Sequence, residues 1–260
     1  MSTVVVALAD EPEAMAVARA AVPIARLFGA SPLAVHARQD GARHAVAAAE
    51  AAGIDVRVRR GQPLAVVGRA VEAPGVRALL LGSGAPAGRH PGGSTALELI
   101  TTSRLPLVVV PPDVTHPERI DRILVPLDGT VSSAAALAET IELARGSEIE
   151  VVVLHVLGEE DLPGFSDQPH HEVRAWSEEF VARYCPCPLE ELSLEVRVGS
   201  PDEQVIAVVA DTDADLLALG WSQDLGPGRA AVVRGALTNA TVPVLLVPVD
   251  RAGRGMRGGR

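Results

Sequence analysis

Two tandem copies of an α/β domain, each a doubly wound five-stranded parallel sheet, are what this sequence predicts, on three observations. Apolar residues make up 48% of the chain and aromatics only 2%, so the core must be built from Val, Leu, Ile and Ala, as in sheets buried on both faces. Short apolar runs alternate with Ala-rich stretches of helical potential, the pattern of βαβ units. That alternation then recurs at a nearly fixed offset along 260 residues, a length that accommodates two domains near the small end of the usual range.

The first strand is read at Val4–Leu8, a helix over Glu13–Phe28 and a second strand at Leu33–Ala37. A third run, Ile54–Arg59, ends at Gly61-Gln62-Pro63, where the proline suits the first turn of a helix reaching about Glu72. A strand over Ala78–Leu81, a Gly-rich loop, a helix over Thr95–Ser103 and a strand over Leu107–Val110 complete the copy. From Ile123 the order begins again. Pro126 follows Ala7 by 119 residues, and His155 follows His36 by 119, each histidine ending an apolar strand. Farther on, Gly199 follows Gly61, Pro201 follows Pro63 and Gly220 follows Gly82, each by 138.

The change of offset places one insertion in the second copy, in the region 158–189. It carries the acidic loop Glu159–Pro169, a helix expected over Glu172–Tyr184, and Cys185-Pro186-Cys187-Pro188. Between the copies, the prolines of Pro111-Pro112-Asp113-Val114-Thr115-His116-Pro117 forbid helix and favour extended chain. The domains are therefore expected at 1–114 and 115–250, with the Arg/Gly-rich segment 251–260 a disordered tail. Right-handed crossovers make each copy a parallel sheet with helices on both faces, and ligands of such sheets sit at the carboxyl ends of the strands.

Composition removes several chemistries. All 23 basic residues are arginine, so a Walker lysine, a kinase strand lysine and a Schiff-base lysine are impossible. A net charge of −10 argues against a nucleic-acid partner. The charge is uneven: residues 1–114 hold 11 Arg against 9 acids, whereas residues 115–250 hold 8 Arg against 24. No apolar run approaches a membrane span, and the first strand is followed at once by Asp10, Glu11 and Glu13, so a cytoplasmic protein is expected. Cys185 and Cys187, one proline apart, offer neither a disulfide framework nor a redox motif.

At these landmarks the chain resembles the universal stress proteins. The likeness rests on Ile123-Leu124-Val125-Pro126-Leu127-Asp128-Gly129 in the second copy. In the first it rests on Leu81-Gly82-Ser83-Gly84, continuing through Gly93-Ser94 to Leu105-Pro106-Leu107-Val108-Val109-Val110. The resemblance implies an adenine nucleotide alpha hydrolase-like fold with strand order 3-2-1-4-5. It also implies that the loop from the fourth strand to the last helix holds ATP phosphates in ATP-binding members. Glycines let backbone N–H groups approach a phosphate, and the following helix aims its positive end at the anion.

Each copy departs from the family pattern differently. In the first, Gly82, Ser83, Gly84, Gly93, Ser94 and Thr95 are present and Arg89 adds positive charge, but the loop is two residues short. The family aspartate after the first strand falls at Ala9, with Asp10 one residue late, a slip that turns a side chain to the other face. In the second copy Asp128 holds the family position, while Ala230-Ala231 replaces Gly-Ser and Asp224 would repel phosphate. ATP is thus allowed in the first copy and not expected in the second. Both loops can instead be turns that close the sheet edge, with the protein working through its surfaces, and the departures favour that reading.

His36 and His155 either point into a ligand cleft or make core hydrogen bonds. The pair His170-His171 lacks the spacing that converges two rings on a metal. Trp221 is expected to cover the degenerate cleft of the second copy. The expected function is a binding or regulatory module in stress response, not an enzyme, with adenine nucleotide as the candidate ligand. Its repeats are expected to pair through their last strands, Leu107–Val110 and Val244–Val247, as a monomer or a homodimer of it. The alternative is a nucleotide-using ATP hydrolase or transferase built on the same loop.

Overall fold

The computed structural model describes residues 1–38, 41–83, 94–114, 119–158, 192–224 and 230–249, together with 179 and 183. The inserted region of the second copy and the Arg/Gly tail therefore lie outside the described residues, apart from Gly158 and those two positions. Strands β1 (Thr3–Ala7), β2 (Ser31–Arg38), β3 (Asp55–Arg60), β4 (Val76–Gly82) and β5 (Leu107–Val110) belong to the first repeat. β6 (Arg122–Pro126), β7 (Glu150–Leu157), β8 (Ser193–Val198), β9 (Leu216–Trp221) and β10 (Val244–Pro248) belong to the second. The helices are α1 (Ala14–Leu27), α2 (Arg43–Ala51), α3 (Pro63–Val71), α4 (Ser94–Thr102), α5 (Val131–Ala144), α6 (Pro201–Asp211) and α7 (Ala231–Asn239).

The chain divides into two units, Met1–Ile120 with Leu237–Leu246, and Asp121–Ala236 with the chain from Val247 on. In the first unit β1 pairs with β2 and β4, β2 with β3 and β4 with β5, all parallel. This is the order 3-2-1-4-5 that the family resemblance implies. Against β5 runs β10, antiparallel, with Val244 opposite Val109, Leu245 opposite Val108 and Leu246 opposite Leu107. The last strands of the two repeats therefore pair, as expected. In the second unit β6 pairs with β7 and β9, and β7 with β8, again parallel. Just past β10, Val249 N donates to Trp221 O at the end of β9.

The strands form where they do because both faces are covered. Val4, Val5 and Val6 are at most 1% exposed, and so are Ile123, Leu124 and Val125, which is why each strand reads as an unbroken apolar run. In the first unit α1 and α2 pack together, and α3 and α4 pack together. Turns repeat as well as strands: Gly61 and Gly199 have φ of 137° and 132°, a backbone that only glycine adopts freely. Each is followed two residues later by the proline that opens α3 or α6.

The structure adds α2, between the second and third strands, which the apolar pattern does not single out. Its N-cap position is Ala42, with no side-chain cap of its own. The helix start is secured from elsewhere in the chain.

Candidate functional site

In the first unit the carboxyl ends of β1 and β2 are tied by a buried histidine. His36 places Nδ1 2.8 Å from Leu8 O and Nε2 2.8 Å from Gly41 O. Leu8 N in turn donates to Val35 O. The turn leaving β1 is thereby fixed, and it delivers Asp10 to the N-terminus of α2. There Asp10 Oδ1 accepts from His44 N at 2.6 Å and Ala45 N at 3.3 Å, satisfying two of the donors that a helix start leaves open.

Burial pushes the Asp10 carboxyl up, but the backbone N–H groups of His44, Ala45 and Arg43, with the His36 ring, outweigh it and hold the pKa below its ordinary value. A Cβ built on Gly41 would stand 2.5 Å from Asp10 Oδ2, so the carboxylate lies directly over that glycine. Asp10 thus has a structural use through Oδ1, as the distant cap of α2, a helix that the apolar pattern does not announce.

At the carboxyl end of β4, Gly82 leads into Ser83, whose side chain is buried and whose N–H donates to Val110 O at 3.0 Å. A Cβ on Gly82 would meet Val17 Cγ2 of α1 at 3.0 Å. Gly84, Arg89 and Gly93 lie outside the described residues. Ser94 and Thr95 form the first turn of α4, so the helix begins where the glycine loop ends, an orientation that presents free backbone N–H groups to that loop.

The second unit repeats the clamp and changes the rest. His155 Nδ1 lies 2.9 Å from Leu127 O, the same relation as His36 to Leu8. Asp128 is exposed, with Oδ1 accepting from Thr130 N at 2.9 Å and Ser133 Oγ at 2.6 Å. Thr130 caps α5 by accepting from Ser133 N. This helix begins five residues after Pro126, whereas α1 begins seven after Ala7.

The early start brings α5 against β9: a Cβ on Gly220 would run into the backbone of Ser132. Trp221 is 2% exposed. Beyond it, Gln223 has φ of 58° and Ala230 φ of 51°. Ala230 stands where the family pattern places a glycine, and it carries the left-handed backbone that glycine would take without strain.

Among the described residues no group of three or more His, Cys, Asp and Glu side chains is arranged to hold a metal. His170, His171, Cys185 and Cys187 lie outside them. No helix among the described residues is long and apolar enough to cross a membrane.

Repeated parallel α/β units of strand order 3-2-1-4-5 define a tandem protein of the doubly wound α/β class. Residues 119–248 match the universal stress protein family, half of the chain, and the chain belongs to that family. No curated protein matches it. Among solved structures it is similar to a universal stress protein from Archaeoglobus fulgidus DSM 4304, at 15% identity and TM-score 0.64, covering 95% of this chain and 98% of that one. It is similar also to a functionally unknown protein from Pseudomonas aeruginosa PAO1, at 15% identity and TM-score 0.65, covering 96% and 93%. These are likenesses of fold along the whole tandem chain. A universal stress protein in complex with cAMP aligns with 49% of this chain and 96% of its own, at 19% identity and TM-score 0.34.

Proposed function

We propose that this universal stress protein is a cytoplasmic, non-enzymatic binding module of stress response, with an adenine nucleotide such as ATP as its ligand at the first repeat and a structural second repeat. One asymmetry carries the assignment. In the second unit the α5 backbone at Ser132 closes on Gly220, filling the approach to the strand end. In the first unit Gly82 faces the movable end of the Val17 side chain. The residues that follow in sequence include Gly84, Arg89 and Gly93 and lead into the α4 N-terminus at Ser94 and Thr95, a composition suited to phosphate.

Neither family-type aspartate is the main anchor in this reading. Asp10 is committed to α2 and Asp128 to the α5 turn, so affinity would rest on the loop N–H groups and Arg89. Calorimetry with ATP, ADP and cyclic AMP, with and without magnesium, tests it. One site is expected for a nucleotide, weakened roughly tenfold by Arg89→Ala and unchanged by Asp128→Ala. No heat with any nucleotide overturns the reading. Steady release of phosphate from ATP, abolished by the same Arg89 substitution, would favour the enzyme alternative.

A further inference from the structure

We propose that a second cavity of the first unit, remote from the glycine loop, binds a small organic phosphate. It has a volume of about 460 Å³, within the range of small-molecule sites. Its floor is apolar, with Val5 from β1, Val35 from β2 and Val66 from α3. Around that floor stand four arginines, Arg57, Arg59 and Arg60 from β3 and Arg69 from α3. Thr3 and Val76 also line it. They lie at the amino ends of β1 and β4, the opposite end of the strands from Gly82.

The arginines gather there because of strand register. Val35 pairs with Arg57 and Ala37 with Arg59, and alternation puts both guanidinium stems on the face that α3 covers. Asp55 shares that face two residues before Arg57, and Glu72 follows α3. Among the described residues, however, none of the four arginines forms an ion pair.

The second repeat shows what a neutralised version of this arrangement is. At the equivalent positions, 138 residues on, Arg57 becomes Glu195, Arg59 becomes Arg197, Arg60 becomes Val198, Arg69 becomes Ala207 and Ala73 becomes Asp211. Register confirms the equivalence, since Leu154 pairs with Glu195 and Val156 with Arg197. There Arg197 Nη2 lies 3.0 Å from Asp211 and 3.6 Å from Glu195.

Where the second repeat answers one arginine with two carboxylates, the first gathers four arginines that, among the described residues, no carboxylate answers. Alanine at position 73 also leaves the cavity wall low. Four like charges around one concavity repel one another, and an anion with several acceptor oxygens relieves them by bidentate bonds. Phosphate suits this better than a single carboxylate, having three acceptor oxygens and close to two charges. The valine floor gives an apolar body somewhere to lie. The site is separate from the nucleotide reading and does not depend on it.

Phenyl phosphate and inorganic phosphate, titrated calorimetrically into the full chain at low and high salt, test the proposal. Phenyl phosphate should bind at one site, more tightly than inorganic phosphate and less tightly as salt rises. The exposed substitutions R57E and A73D install the neutralised arrangement of the second repeat, and together they should weaken phenyl phosphate by roughly tenfold or more. Ser94→Ala, at the glycine loop, should leave it unchanged. Absence of saturable binding to the native chain, or undiminished binding to a folded R57E/A73D variant, overturns the proposal. Equal affinity for the two probes overturns the organic class of ligand.

Discussion

His36 Nδ1 lies 2.8 Å from Leu8 O, and His155 Nδ1 lies 2.9 Å from Leu127 O, each histidine reaching a carbonyl 28 residues earlier. Both rings are buried, at 5% and 6% exposure. The carbonyls they meet sit just past the first strand of each repeat, where the sheet ladder no longer supplies a donor. Removing either ring leaves a carbonyl without that partner inside the protein. His36→Ala and His155→Ala should each cost about 1–3 kcal/mol, read by urea unfolding. Unchanged stability with altered ligand affinity would show the rings to be ligand groups instead.

The two family-type glycines should respond differently to a methyl group. In Gly220→Ala the new Cβ meets the backbone of Ser132, which cannot yield without moving α5. In Gly82→Ala it meets the Val17 side chain at 3.0 Å, where a small shift suffices. The first should cost about 3 kcal/mol or more and the second about 1, measured as midpoints of denaturant unfolding. Equal costs would mean that α5 does not press on β9 as described.

Ala230 offers the reverse test. Its φ of 51° is a left-handed conformation that costs a residue with a Cβ about 1–2 kcal/mol, part of which glycine returns as chain entropy in the unfolded state. Ala230→Gly should therefore stabilise the protein by about 0.5–1 kcal/mol. A loss of stability would place residue 230 in the ordinary right-handed region.

Glu150 gives the fold a pH dependence of known sign. Its carboxylate accepts from Ser193 Oγ at 2.5 Å and from Arg122 Nε at 2.8 Å, and these bonds, with the Arg122 charge, outweigh burial and lower its pKa. A lowered folded-state pKa contributes stability that is complete above the ordinary glutamate value and lost as pH falls through the lower folded one. Glu150→Gln should cost about 0.5–1 kcal/mol near neutrality, because the pair is partly exposed and screened. The difference from the native chain should shrink to nothing in acid, as followed by thermal unfolding from pH 7 to pH 2. A difference independent of pH would show that the charge contributes nothing.

The helix start at Ser94 and the strand Leu107–Val110 were legible from residue order alone, since both follow from punctuation and hydrophobic pattern. Asp10 was legible only as a carboxylate near the end of the first strand. Its use is to cap α2 by accepting from His44 N, 34 residues away, and no local signal at Ala42 announces a helix that is capped from so far off. The arginines of β3 were visible as charges on a strand. That no acid among the described residues pairs with them became visible only beside Arg197 and its two carboxylates.

What the sequence by itself determined is the duplicated parallel unit and the motifs that carry the family resemblance, from which the strand order was implied. These depend on burial patterns and on Gly and Pro positions that act within a few residues. What only the tertiary structure decided is how the groups are matched: Asp10 to α2, the histidines to strand-end carbonyls, Ser132 to Gly220, and the four cavity arginines to no acid among the described residues. Such partners lie tens of residues apart, and hydrogen-bond and charge geometry over a few ångströms is set by packing, which the linear order does not encode locally.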